Sequence, residues 1–287
     1  MVITHPEKVL FPDDGITKGE LAAYYESVAP AMLPHLRGRP ITMERFNRGI
    51  GEPGFYQKSV TKGAPAWLER IVVPKKGGTV HHALVTDLRS LLWLANQNCI
   101  TLHVWATRAP HLSRPDVCIF DLDPAADEPD RLRAVVLALR ALLSELGLVS
   151  LVKTSGSKGY HVAVGLDARA DADVVAHFTH EVGRAMARRD PRNVTLELPK
   201  SDRGGRIFLD TGRNQPPATF AAPYTVRARP GAPVSAPCTW EEIEAGIATP
   251  RAFTLRAMAA RIAAIGDLWS ALPAQGLNEA MSRLECA

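Results

Sequence analysis

Two aspartates, Asp121 and Asp123, close the run Val117-Cys118-Ile119-Phe120-Asp121-Leu122-Asp123, with Pro124 next. The run has strand length and composition, so both carboxylates project from one face while Phe120 and Leu122 point the other way, toward a helix layer. Carboxylate oxygens suit hard divalent cations, and two ions about 4 Å apart can activate an attacking hydroxyl and stabilise a leaving phosphate group. Asp-x-Asp before proline also ends ordinary strands, so the pair alone decides nothing. A third carboxylate, Asp210, closes Ile207-Phe208-Leu209 and is either a further ligand or a turn residue ahead of Gly212.

A second group of polar residues lies in Lys153-Thr154-Ser155-Gly156-Ser157-Lys158-Gly159-Tyr160-His161. Its glycines would let backbone N–H groups approach a phosphate, with Lys158 and the hydroxyls adding charge and donors. The spacing is not that of a Walker A loop, and a polar hairpin is the competing reading. His161 is a phosphate ligand or a satisfied core histidine. Basic residues gather around the third carboxylate: Lys200, Arg203, Arg206, Arg213, Arg227 and Arg229. Arginine suits bidentate phosphate recognition, and a solvated basic face is the alternative.

Elements must hold these residues together. Thr17-x-x-Glu20 is a capping box that opens a helix over 17–35, and a second helix is expected at 85–97. Pro40-Ile41-Thr42-Met43 and Ile71-Val72-Val73-Pro74 read as short strands, and Thr101 to Trp105 alternates as another. After the Asp121 strand, Leu132, Val135, Val136, Leu139, Leu142, Leu143 and Leu146 trace a helical stripe. Strands at 148–153 and 160–166, a helix at 172–188 and strands at 194–198 and 206–210 complete a β-α-β-β-α-β-β order, an RRM-like α+β sheet. Beyond 214 the prolines 216, 217, 223, 230, 233 and 237 predict an extended segment wrapping the core. Closing helices are expected at 240–246 and at 249–269, the latter with Thr249 as N-cap and Pro250 at its first position.

The 287 residues are 46% hydrophobic and 22% charged, with net charge +4, which tolerates nucleic acid without demanding it. No apolar run reaches the roughly 18 residues of a membrane span, and Met1 to Pro6 does not start like a signal peptide, so a soluble cytoplasmic monomer is expected. Cys99, Cys118, Cys238 and Cys286 are far apart and read as free thiols.

Taken in order, FDLDP at 120–124, KTSGSKGYHV at 153–162, RIFLD at 206–210 and APYTVRARPGAPVSAP at 222–237 resemble the polymerase module of bacterial DNA ligase D, within the archaeo-eukaryotic primase superfamily. The resemblance spans essentially the whole chain. It implies a primase-polymerase fold in one domain. Residues 1–105 form a smaller N-terminal α/β lobe that contacts DNA, and 106–287 form the catalytic lobe with its Pro-rich wrap and closing helices. It implies that Asp121, Asp123 and Asp210 ligate two ions, manganese or magnesium. Ser155, Lys158, His161, Arg227, Arg229 and Arg203 would hold a nucleoside or deoxynucleoside triphosphate, with His103 near the primer end.

By the same resemblance, Lys8 and Lys18 grip a downstream 5′-phosphate, with His5 where the family has asparagine. Phe55 and Tyr56 stack on template bases, Tyr56 replacing a second phenylalanine. Arg213 stands where some relatives carry glutamine, and Glu44-Arg45 where some carry Lys-Arg. The implied activity is templated addition of one or a few nucleotides, ribonucleotides favoured, at breaks or short gaps of DNA in end joining or excision repair. A Ku-like end binder and a DNA ligase are the implied partners, in a bacterial, nucleoid-associated setting. De novo priming and a non-catalytic end-bridging role are the alternatives.

Overall fold

A short antiparallel pair, β1 (Val9–Phe11) and β2 (Ile16–Thr17), feeds into helix α1 (Lys18–Leu36) in a computed structural model that describes residues 1–285. The expected capping box starts this helix: the Thr17 hydroxyl accepts from Glu20 N, and the Glu20 carboxylate accepts from Thr17 N. Leu21, Tyr24, Tyr25, Val28 and Met32 form its buried stripe. Strands β3 (Ile41–Arg45), β4 (Phe55–Gln57), β5 (Arg70–Lys75) and β6 (Gly78–Ala83), helix α2 (Leu88–Asn96) and strand β7 (Cys99–Val104) follow. Cross-strand pairing gives the order β15-β7-β3-β6-β5, with β4 on β3 and with β15 (Phe220–Ala221) supplied from far along the chain.

A small ribbon of β8 (Thr107–Arg108) and β9 (His111–Pro115) leads to β10 (Val117–Asp123), the strand that ends in the two aspartates. Helix α3 (Pro129–Glu145), strands β11 (Leu151–Thr154) and β12 (Tyr160–Gly165), helix α4 (Ala172–Arg189) and strands β13 (Val194–Thr195) and β14 (Ile207–Asp210) complete the order read from the sequence. This second sheet runs β13-β14-β10-β12-β11-β16, where β16 is Pro237–Cys238. Phe120, Leu122, Val152, Val162 and Leu209 join the stripes of α3 and α4 in one core. Val117, Ile119 and Ala163, on the opposite face, join the core of the first sheet. The second sheet is thus apolar on both faces except at the end where Asp121 stands.

The Pro-rich segment is the seam between the sheets. It gives β15 to one and β16 to the other, and edge positions are where proline is tolerated because no ladder donor is lost. Buried tyrosines fasten it: Tyr24 Oη donates to Tyr224 O, and Tyr25 Oη donates to Ile100 O while meeting Thr225 Oγ1. Part of 106–287 therefore packs with the first core, and the two lobes share chain from both sides of residue 105.

After α5 (Trp240–Glu244), the helix expected from Thr249 starts later. Helix α6 covers Leu255–Ile265, with Thr254 as N-cap and Gly266 as C-cap, and Pro250 lies before it. The reason is non-local. Val234 N donates to Phe253 O and Leu255 N to Ala232 O, so the proline seam draws 253–255 into extended pairing. Helix α7 (Asn278–Glu285), with no counterpart in the sequence reading, ends the described chain. Cys99, Cys118 and Cys238 are buried free thiols, and Cys286 lies outside the described residues. Among the described residues no helix is long and apolar enough to cross a membrane.

Candidate active site

Strand register assembles the site. On β10, Asp121 faces Asp210 of β14 on one side and His161 of β12 on the other; Lys153 of β11 faces His161, and Pro237 of β16 faces Lys153. Directly paired residues in neighbouring strands point to the same face. Asp210, Asp121, His161 and Lys153 thus form one row across four strands, on the face turned from the helices. Asp123, two residues beyond Asp121, extends the row toward solvent.

The three carboxylates meet arginines. Arg213 bridges two of them, its Nη2 lying 2.8 Å from Asp210 Oδ2 and its Nε 3.4 Å from Asp121 Oδ2. Arg203 Nη1 is 3.4 Å from Asp123 Oδ2. Asp210 also accepts from Gly212 N at 2.8 Å, an interaction that aims its carboxylate. Burial pushes the Asp121 carboxyl up to about 6; Asp210 and Asp123 push the same way, against Arg213 and Lys153. Among the described residues no three His, Cys, Asp or Glu side chains converge closely enough to hold an ion in this arrangement, and Arg213 supplies the positive charge between Asp121 and Asp210 instead. The donor set itself, three carboxylates at neighbouring strand ends, has the oxygen chemistry that fits a hard divalent cation.

The β11–β12 connection is held by close approach. A Cβ on Gly159 would lie 1.7 Å from Leu122 O, and one on Gly156, at φ +65°, would lie 2.6 Å from Arg227 Cγ. Ser155 Oγ accepts from Ser157 N and Gly159 N, both at 3.1 Å. Two of the amides expected to face a phosphate are therefore turned inward. The loop presents the exposed Lys158 and the Ser155 hydroxyl beside Arg227, whose Nη1 donates to Ser155 O at 2.7 Å. Burial lowers the Arg227 pKa, and Glu44 and Asp121 oppose that.

Of the basic cluster, Arg203, Arg213 and Arg227 line a cavity of about 270 Å³ with the three aspartates, Ser155, Lys158 and His161. Arg203 is fixed by donating to Glu197 O and Leu198 O and by stacking 4.1 Å from the Phe208 ring centre. Lys200, Arg206 and Arg229 do not line the cavity; the Arg206 guanidinium turns back to Arg203 O and Asp202 O.

The first sheet supplies the other side. His103 Nε2 lies 3.3 Å from Glu44 Oε2 across β7 and β3, and burial lowers its pKa. Tyr56 meets the His103 ring edge-on at 5.4 Å. Phe55 and Tyr56 are 42% and 63% exposed, which leaves both rings open to stack and rules out a buried core pair. Tyr56, Lys58, Lys75, His82 and Trp105 line an open cleft of about 1280 Å³ alongside.

The N-terminal trio is separate, with no hydrogen bond or ion pair to the Asp121 row among the described residues. Lys8 Nζ donates to Asn47 O at 2.5 Å. Lys18 is only 3% exposed and donates to Thr4 O at 2.7 Å and Thr4 Oγ1 at 3.1 Å; burial, then Lys8, lowers its pKa. His5 is exposed, at φ +50°, with Nδ1 3.5 Å from Glu7.

Glu44, which stands where some relatives carry lysine, pairs with His103. Two further residues of the site escaped the sequence reading. Lys153 shares the alternation of His161, a signal that was present. Asn214, fully buried, accepts from Ile119 N and donates to Ile119 O, bracing β10; no sequence signal marks it.

The family described as LigD, primase-polymerase domain, matches residues 17–269. Among curated proteins, the multifunctional non-homologous end joining protein LigD of Mycolicibacterium smegmatis is 36% identical over 244 residues, covering 84% of this chain and 32% of the relative. The LigD repair protein of Mycobacterium tuberculosis H37Rv is 34% identical over 283 residues, covering 96% of this chain and 37% of the relative. The bifunctional LigD of Bacillus subtilis is 29% identical, covering 90% of this chain and 42% of the relative. The chain thus spans between a third and about two fifths of these relatives' length. The polymerase domain from Mycobacterium tuberculosis Ligase D, solved in complex with DNA, superposes with a TM-score of 0.89 at 33% identity, covering 95% of this chain and 97% of that one. A family match over most of the chain, and a shared fold from end to end, make this chain a member of the LigD primase-polymerase domain family.

Proposed function

We propose that the chain is a template-directed nucleotidyltransferase that adds one or a few nucleotides, preferably ribonucleotides, to a 3′-end at a break or short gap in DNA. The observation that carries this reading is the row of Asp210, Asp121 and His161 with Asp123, set in a cavity lined by Arg203, Arg213, Arg227 and Lys158. Four anionic acceptors or neutral donors at the sheet and four cations around them match a bound triphosphate with its counter-ions.

Asp121, Asp123 and Asp210 would hold two divalent ions, manganese or magnesium, which when bound lower the pKa of the attacking 3′-hydroxyl and neutralise the leaving pyrophosphate. Lys158, Ser155 and Arg227 hold the triphosphate tail from the loop side, and Arg203, anchored on Phe208, approaches from the other. Arg213, paired with Asp121 and Asp210 and lining the same cavity, adds a fourth cation beside the phosphates. Tyr56 and Phe55 give faces on which template bases stack where the strand enters the open cleft, while Lys58 and Lys75 take its phosphates. No side chain is needed as a dedicated general base, because positioning and charge do most of the work in this chemistry.

The setting proposed is end joining, supported by the non-homologous end joining role of the relatives, or excision repair, and a DNA ligase and a Ku-like end binder are the partners proposed. Lys8, Lys18 and His5 are proposed to grip the downstream 5′-phosphate. Lys18 already spends donors on Thr4, so Lys8 and the remaining Lys18 hydrogen carry that contact.

The test is a duplex with a gap of one to three nucleotides, incubated with manganese and four ribonucleotides, with and without the 5′-phosphate. We expect templated extension that the phosphate enhances, and a loss of at least about a thousandfold in Asp121→Ala/Asp123→Ala. Tight DNA binding without extension in either metal would replace this reading with end bridging.

A further inference from the structure

We propose that Lys153 is a positioning residue that fixes His161 as the tautomer with its hydrogen on Nε2, so that the ring aims one N–H at the phosphates of the incoming nucleoside triphosphate. The inference deepens the proposed nucleotide site and rests on it.

Lys153 is completely buried, and a lysine is seldom found so without a task. Its Nζ lies 2.8 Å from His161 Nδ1 and bonds Ser235 Oγ, and Phe220 closes the space, its ring centre 6.0 Å away. Ser235 spends its own hydrogen on Thr154 O at 3.0 Å, so its oxygen can only accept from Lys153. At the other end, His161 Nε2 lies 3.4 Å from Asp121 Oδ1, an acceptor-only carboxylate. With the Lys153 amine at hydrogen-bond distance, Nδ1 acts as the acceptor and carries no hydrogen, which leaves the ring its single N–H at Nε2. The amine brings hydrogens at one end and the carboxylate needs one at the other. The assignment that suits both ends has Lys153 donating to Nδ1 and the ring hydrogen on Nε2, on the side of Asp121, which lies at ion-pair distance rather than in a formed hydrogen bond.

The register explains why this chain cannot be rearranged cheaply. Lys153 and His161 are direct cross-strand partners, as are His161 and Asp121. When a triphosphate enters, its oxygens are also acceptors without hydrogens, so the same Nε2–H can serve them without a change of tautomer. Ser235 lies in the proline seam, which ties the orientation of His161 to the seating of that segment against β11.

The decisive measurement is the tautomer of His161, read from two-bond 1H–15N correlations of metal-free protein labelled with 15N-histidine, beside nucleotide KM on a gapped duplex with manganese and ribonucleotides. We expect the wild-type ring to carry its hydrogen on Nε2 with a hydrogen-bonded Nδ1. In Lys153→Met, which keeps the length and removes the donor, that bond signature disappears. Nucleotide KM rises about fivefold, the weight of one neutral hydrogen bond, with a smaller effect on kcat. In a His161→Ala background, Lys153→Met changes KM no further, because Lys153 acts through the ring. A wild-type ring with its hydrogen on Nδ1 would overturn the proposal, as would a Lys153→Met effect of equal size with and without His161. Should the tautomer be as expected while His161→Ala leaves nucleotide KM unchanged, the nucleotide-site reading fails and the tautomer assignment stands.

Discussion

Asp121 sits between two other carboxylates, and the sheet gives it little water. Folding raises its pKa to about 6 from the ordinary 3.8. Between those values the folded chain holds the proton that the unfolded chain releases, so this group favours folding at acid pH and that contribution is lost as pH rises through the window. Above pH 6 the full shift opposes folding, by about 3 kcal/mol at most. In metal-free protein at neutral pH we expect Asp121→Asn to raise Tm by about 3–6 °C while abolishing extension. An unchanged or lower Tm would mean that Arg213 already offsets the burial. The same residues show what a sequence yields at this scale. Asp121 and Asp123 are legible because alternation alone puts them on one face. The pairing of Lys153 with Ser235, 82 residues away, is not, since only tertiary contact creates it.

Among the elements, β12 is held against β10 by a glycine contact too close for any side chain. Gly159→Ala must displace either Leu122 O or the whole β11–β12 loop. We expect a cost of at least about 3 kcal/mol and a melting point lowered by about 5 °C or more. Gly63→Ala, where a Cβ would meet nothing within 4 Å, is the control and changes Tm by less than about 2 °C. The elements read correctly from the sequence are those whose signals are local: the capping box of α1, the stripes of α3 and α4, and the apolar runs of β10 and β14. Thr249-Pro250 is also a sound local start signal, but 253–255 pairs with the proline seam and the helix begins only when that pairing ends. Two-residue strands such as β15 and β16 carry no periodicity to read, and they exist because an edge lies beside them.

Over the whole molecule, the seam binds two cores into one cooperative unit. Tyr25 holds Ile100 and Thr225 with one hydroxyl, so Tyr25→Phe strands a buried carbonyl and should cost about 1–3 kcal/mol. Urea unfolding should remain a single transition, coincident by far-UV circular dichroism and by fluorescence of the buried tryptophans, of which Trp93 packs in one core and Trp240 in the other. Two separated transitions would mean that the lobes are independent. The interleaving has a further consequence in time. The sheet that starts at residue 41 lacks its last strand until Phe220 is made, and its core lacks α6 until Ile265 is made. At a synthesis rate of roughly 5–20 residues per second, the first hundred residues wait about ten to thirty seconds on the ribosome for partners encoded at the far end. A nascent chain stalled midway would expose an open sheet edge, and a gene fusion that exchanged the front third for another would inherit a sheet with no one to finish it.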